Sequence, residues 1–135
     1  MAKSAIDSFE EKLRVLTKQD QRYHLNAYRF IYEALEHALS RIGKQRHITG
    51  KELLAAVREL GTEKFGFLAR TVFENWGVKK TRDFGEIVFN LVNSGLMGKT
   101  QEDSAEDFDD AYNFEEVFEK NFTFKFPPRR RSGKN

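Results

Sequence analysis

The chain has 135 residues, 39% of them hydrophobic and 33% charged, with a net charge of +2 at neutral pH and no cysteine. That length predicts one domain able to bury its own core, and the missing cysteines exclude disulfides, thiol catalysis and thiolate zinc sites. No run approaches the roughly 20 apolar residues of a membrane span, and the opening MAKSAIDSFEEKL lacks the apolar stretch of a signal peptide, so no membrane partner and a cytoplasmic location are expected. The charge is unevenly placed: residues 1–99 carry +5, residues 100–119 carry −9 with no Lys or Arg, and residues 120–135 carry +6 with no Asp or Glu. Blocks of one sign mark interaction surfaces or solvated tails.

Taken in chain order, Ile6, Phe9, Leu13 and Leu16 recur at spacings of three and four, the stripe of an amphipathic helix ending near Lys18. A longer helix is expected from Gln21 to Ile42, with Ala27, Ile31, Ala34, Leu35, Ala38 and Ile42 on one face and Gly43 as its terminator. In HITGKELL, Thr49 is placed to cap a helix, Glu52 to close the capping box, and Ile48 to pack on Leu53. That helix runs toward Phe65 although Gly61 weakens it, and Gly66 separates it from a short helix in FLARTVFENW. Gly77 ends the short helix, Thr81 is expected to cap another over 82–94, and Gly95 ends that one. Residues 99–110 read as a loop or a pair of short strands. Asn113 with Glu116 opens a final helix over 114–121. Phe122, Phe124 and Phe126 alternate as in a strand, which Pro127 and Pro128 stop. The predicted architecture is a mainly α, compact helical domain over residues 1–126, with a small β-hairpin or strand near the C-terminus and a flexible basic tail over 127–135.

The stretch GLMGKTQED ends like a nucleotide-binding loop, but the glycine required at position 93 is Asn93, and a helix precedes it where a strand is needed. Three successive helices, with WGVKKT joining the last two, instead follow the order of a winged helix-turn-helix, with GKTQEDSAEDF as the wing. The fit has a flaw. Four residues before the turn glycine such motifs favour a small side chain, and here the residue is Phe73. A plain helical bundle carries the same local signals, and both architectures stay open.

As a DNA reader the motif is poorly equipped. Its last helix is expected to expose Arg82, Asp83, Gly85, Glu86, Asn90 and Asn93, and its wing carries Glu102, Asp103, Glu106 and Asp107, which oppose a phosphate backbone. Those four acids suit a basic partner better. Cations cluster elsewhere, at Arg41, Lys44, Arg46 and Lys51, at Lys79, Lys80 and Arg82, and at Arg129, Arg130 and Arg131, and keep nucleic acid as a candidate partner. The acidic run lacks the spacing and the glycine of a calcium loop. His24, His37 and His47 share no metal-ligand spacing, and no serine sits in a nucleophile elbow. No catalytic residue, metal or cofactor is expected, and the chain reads as a non-enzymatic binding module.

HITGKELL, LARTVFENWGVKKTRDFGEIVFNLVNSGLMGKT and the later DF and YNFEEVF together resemble a family of hypothetical proteins found mainly in planctomycetes and verrucomicrobia. The resemblance spans about residues 20–122. It implies a bacterial, cytoplasmic protein and, the family having no assigned activity, supplies no site residues. Docking to an unidentified protein is the first functional expectation, and winged-helix-like nucleic-acid binding the alternative.

Overall fold

The computed structural model describes residues 5–42, 47–98 and 105–120. Among them, α1 (Ala5–Gln19), α2 (Leu25–Ile42), α3 (Gly50–Phe65), α4 (Ala69–Asn75) and α5 (Thr81–Asn93) follow in order. Short 3₁₀ turns occupy Gly66–Leu68 and Ala105–Phe108, and a π-helical turn occupies Glu116–Lys120. No helix among the described residues is long and apolar enough to cross a membrane. The mainly helical architecture is thus as expected, while the strand expected over 122–126 and the basic tail fall outside the described residues.

The predicted apolar stripes are the buried ones. Leu13 and Leu16 of α1, Ala27, Ile31, Ala34 and Ala38 of α2, Leu53, Leu54 and Val57 of α3, and Phe84, Ile87 and Leu91 of α5 join one connected core. α2 and α3 form the most extensive helix pair, α5 packs on both, and α1 lies against α2. Phe73 of α4 sits at the centre. Its ring centroid lies 5.2 Å from Phe30, 6.2 Å from Phe65, 5.7 Å from Trp76, 5.3 Å from Phe84, 5.6 Å from Phe114 and 5.5 Å from Phe118. Several of these pairs are edge-to-face, the arrangement that the ring quadrupoles favour.

The position that looked too large for close helix approach is reconciled by Gly61. A Cβ there would lie 3.0 Å from Phe73 Cζ, so α3 supplies the small residue and α4 the large one. Glycine in mid-helix costs roughly 0.5–1 kcal/mol of propensity, and here that cost makes room for the central ring.

Caps set the helix boundaries. Thr49 Oγ1 accepts from the Glu52 amide at 3.1 Å while the Thr49 amide donates to Glu52 Oε1 at 3.0 Å, the reciprocal box read from the sequence. The start of α2 differs from expectation: it opens at Leu25 instead of Gln21. Asp20 Oδ1 takes the Arg22 amide and His24 Nδ1 takes the Asn26 amide, so side chains hold residues 20–24 in a turn. The expected role of Thr81 is also corrected. Its hydroxyl is buried, donating to the Phe108 carbonyl at 2.7 Å and accepting from the Ala111 amide at 3.1 Å. Asp83 does the capping, accepting the Lys79 and Lys80 amides at 2.9 and 3.2 Å.

All four tyrosines have phenols pushed above the usual value of about 10. Burial is the main cause at Tyr23, Tyr28, Tyr32 and Tyr112; at Tyr23 the neighbouring Asp83 carboxylate adds to it. A raised phenol pKa stabilises the fold fully below the unfolded value, and that contribution is lost as pH rises through the folded values. Phenolate absorbance is therefore expected to appear only above about pH 10, in one transition with the loss of helical circular dichroism. Ionisation near pH 10 with the helices intact would show the rings to be solvated.

Candidate functional site

One concavity among the described residues is an open groove of about 1310 Å³. One side is α3, which presents Lys51, Ala55, Arg58, Glu59 and Thr62 at helical spacing, with His37 and Arg41 of α2 beside them. The other side is the returning chain, with Glu106, Asp107, Asp109 and the exposed Ala111, and with the more buried Tyr112 and Val117. Leu54 joins the two sides: its carbonyl accepts a 2.7 Å hydrogen bond from the Tyr112 hydroxyl, across a half-buried contact.

The returning chain is held by Phe108. A Cβ at Gly50 would lie 3.0 Å from Asp107 Cβ and from the Phe108 ring, and one at Gly85 would lie 2.8 Å from Phe108 Cβ and Cγ. Two glycines on separate helices thus cradle one ring, which is buried, and Thr81 fixes its carbonyl. Residues 105–108, within the stretch expected to be a loop or a pair of short strands, form this 3₁₀ turn; residues 99–104 lie outside the described residues.

Electrostatically the groove carries both signs. Glu59 Oε1 accepts from Arg41 and lies 3.0 Å from His37 Nε2; the His37 contact, with Arg41 adding to it, draws the Glu59 carboxyl below the ordinary carboxylate value. Arg82 reaches Asp109 at 2.6 Å and Glu86 at 3.4 Å, which raises its already high pKa. Arg41 and Arg82, two of the expected phosphate contacts, thus have their guanidinium groups engaged by carboxylates.

The face of α5 expected to read bases is largely covered. Asp83 accepts from the Tyr23 hydroxyl at 2.8 Å, Asn90 donates to Asp20 at 2.9 Å and to Tyr28 at 3.1 Å, and Gly85 lies under Phe108. Glu86 is half-buried and meets Arg22 at 3.5 Å. Only Arg82 and Asn93 of the six residues expected on that face are exposed. The correction has two physical causes: Phe108 packs on Gly85, and the loop between α1 and α2 packs along α5, where Asp20 turns Arg22 and Asn90 toward itself, a hydrogen-bond set that holds its own carboxyl far below the usual range.

The remaining candidates divide. Lys79 and Lys80 are exposed, Glu106 is exposed and Asp107 half-buried on the groove rim. Lys44, Arg46, Glu102, Asp103, Arg129, Arg130 and Arg131 lie outside the described residues. His37, Arg58, Glu63 and Tyr112 were not singled out for a shared surface. The exposed face of α3 was legible as a helix period, but nothing local shows that residues 106–117 return beside it. Among the described residues no three His, Asp or Glu side chains are grouped to hold a metal ion. No protein-family model, curated protein or solved structure matches the chain.

Proposed function

We propose that the protein is a docking module that takes a segment of a partner protein into the groove between α3 and residues 106–117. The observation that carries this reading is the groove itself: the apolar residues Leu54, Ala55, Tyr112 and Val117 between a rim of mixed charge on α2 and α3 and an acidic rim at Glu106, Asp107 and Asp109. Apolar contact gives burial and such rims give orientation, the division of labour found in protein interfaces. A photo-crosslinking amino acid at Ala55, which is exposed in the groove, is expected to trap one dominant protein in host cells. The same label at Thr71, exposed on α4 away from the groove, is the control. Equal adducts at both positions, or adducts with nucleic acid, would overturn the reading.

The exposed pair Lys79 and Lys80 supports nucleic acid as the second reading. With Arg41 and Arg82 tied to carboxylates, the densest cationic block left in the sequence is Arg129–Arg131. Duplex affinity is therefore expected to be sequence-blind, with a log-log salt slope of roughly −0.9 per phosphate neutralised, and to vanish in a chain ending at Phe126. Retained, sequence-selective binding by that shorter chain would promote the second reading to first.

A further inference from the structure

The groove lies beside the most acidic stretch of the chain and also beside the start of the most basic one. Between residues 106 and 119 there are seven carboxylates and no Lys or Arg, whereas residues 120–135 hold six Lys and Arg and no acid. The described residues end at Lys120, three residues beyond Val117 in the groove. Eight residues lie between Lys120 and Arg129, a span of at most about 30 Å when fully extended. Arg129–Arg131 are thus covalently confined near the groove, at an effective concentration on the order of 1 mM.

Within the groove, five acids (Glu59, Glu63, Glu106, Asp107 and Asp109) face the three cations Arg41, Lys51 and Arg58. Arg41 is turned onto Glu59 and Arg82, from outside the groove, is held by Asp109, so the acids still outnumber all four cations. Negative charge is therefore in excess on the rim. Arginine suits such a rim, because its planar guanidinium forms paired hydrogen bonds with carboxylates while its stem covers apolar surface.

We propose that the groove binds the Arg129–Arg131 segment of its own chain, which then competes with the partner protein for the same surface. This rests on the docking reading above and adds a regulator to it: a partner must displace an intramolecular ligand, and removing or neutralising those arginines opens the groove. The contact is ionic at its rim, so it weakens with salt as the screening length falls from about 10 Å at 0.1 M to about 3 Å at 1 M.

The test uses a fluorescent peptide, PPRRRSGKN, against the intact chain and against a chain ending at Phe126. The shorter chain is expected to bind the peptide with Kd of about 100 μM at low salt, and the intact chain about tenfold more weakly, the factor expected when about 1 mM of internal ligand competes. Glu63→Lys combined with Glu106→Lys, both on the exposed rim, is expected to abolish binding to the shorter chain, whereas Glu36→Lys, exposed on α2 outside the groove, leaves it unchanged. Unchanged circular dichroism and thermal midpoint identify variants that fold. No binding by the shorter chain, equal binding by both chains, or binding indifferent to the rim reversals each overturns the proposal. An Ala55 adduct with a partner protein that persists alongside such a result leaves the docking reading standing; loss of both removes both.

Discussion

Gly77→Ala is expected to destabilise the fold by at least about 4 kcal/mol, at the exceptional end for one substitution. Two effects add. Gly77 has φ +91°, a backbone conformation that costs a non-glycine residue roughly 1–3 kcal/mol. A Cβ there would also lie 2.0 Å from the Arg22 carbonyl oxygen, and that neighbour is backbone, so no rotamer change relieves the overlap. The α1–α2 loop would have to lift, taking with it the 2.9 Å hydrogen bond from the His24 amide to the Trp76 carbonyl and the Asp20–Asn90 contact. Gly95 supplies the comparison. It has φ +77° but open space around it, so Gly95→Ala carries the conformational cost alone, about 1–2 kcal/mol. Urea unfolding of the two variants measures the difference. Equal losses would mean that the loop does not approach Gly77 as closely as it does in this structure.

Phe73→Ala is the second large effect, with an expected loss of about 3–5 kcal/mol. The ring is fully buried and touches six others drawn from α2, α3, the turn after α4, α5 and residues 114–118, so its removal leaves a cavity that no single helix can collapse into. The same contact sets the sign at Gly61. On helix propensity alone Gly61→Ala would stabilise by up to about 1 kcal/mol, yet the added methyl meets Phe73 Cζ at 3.0 Å. Gly61→Ala is therefore expected to destabilise the parent and to stabilise a Phe73→Leu background, a sign reversal readable in a double-mutant cycle. Additive effects would show that Gly61 and Phe73 do not share space.

The candidate site was only partly legible before folding. Glu106, Asp107 and Arg41 were marked by charge alone, and all three stand on or beside the groove. Arg58, Glu63 and Tyr112 were not, because a solvated helix face and a lone tyrosine look alike whether or not another segment runs beside them. The reading face assigned to α5 shows the same gap from the other side. Asp83, Glu86 and Asn90 are polar and so read as solvent-facing, yet each finds a partner in the α1–α2 loop or on its own helix. Hydrophobic periodicity separates core from everything else; it does not separate water from a polar interface.

What the sequence by itself determined is most of the local order among the described residues: the helices α1 to α5, the cap at Thr49, the breaks at Gly66, Gly77 and Gly95, and the apolar stripes that became the core, whereas the helix expected over 114–121 is a π-helical turn at Glu116–Lys120. The matching features depend on residues within a turn or two of one another, where period, capping and glycine conformation act directly. The tertiary structure alone decided the rest. Gly61 makes way for Phe73, Gly50 and Gly85 cradle Phe108, and Thr81 gives up its cap to hold residues 108 and 111. Each of these joins residues at least a dozen positions apart, and the energy that selects them comes from close packing and from satisfying buried polar groups, quantities that exist only once the partners have met.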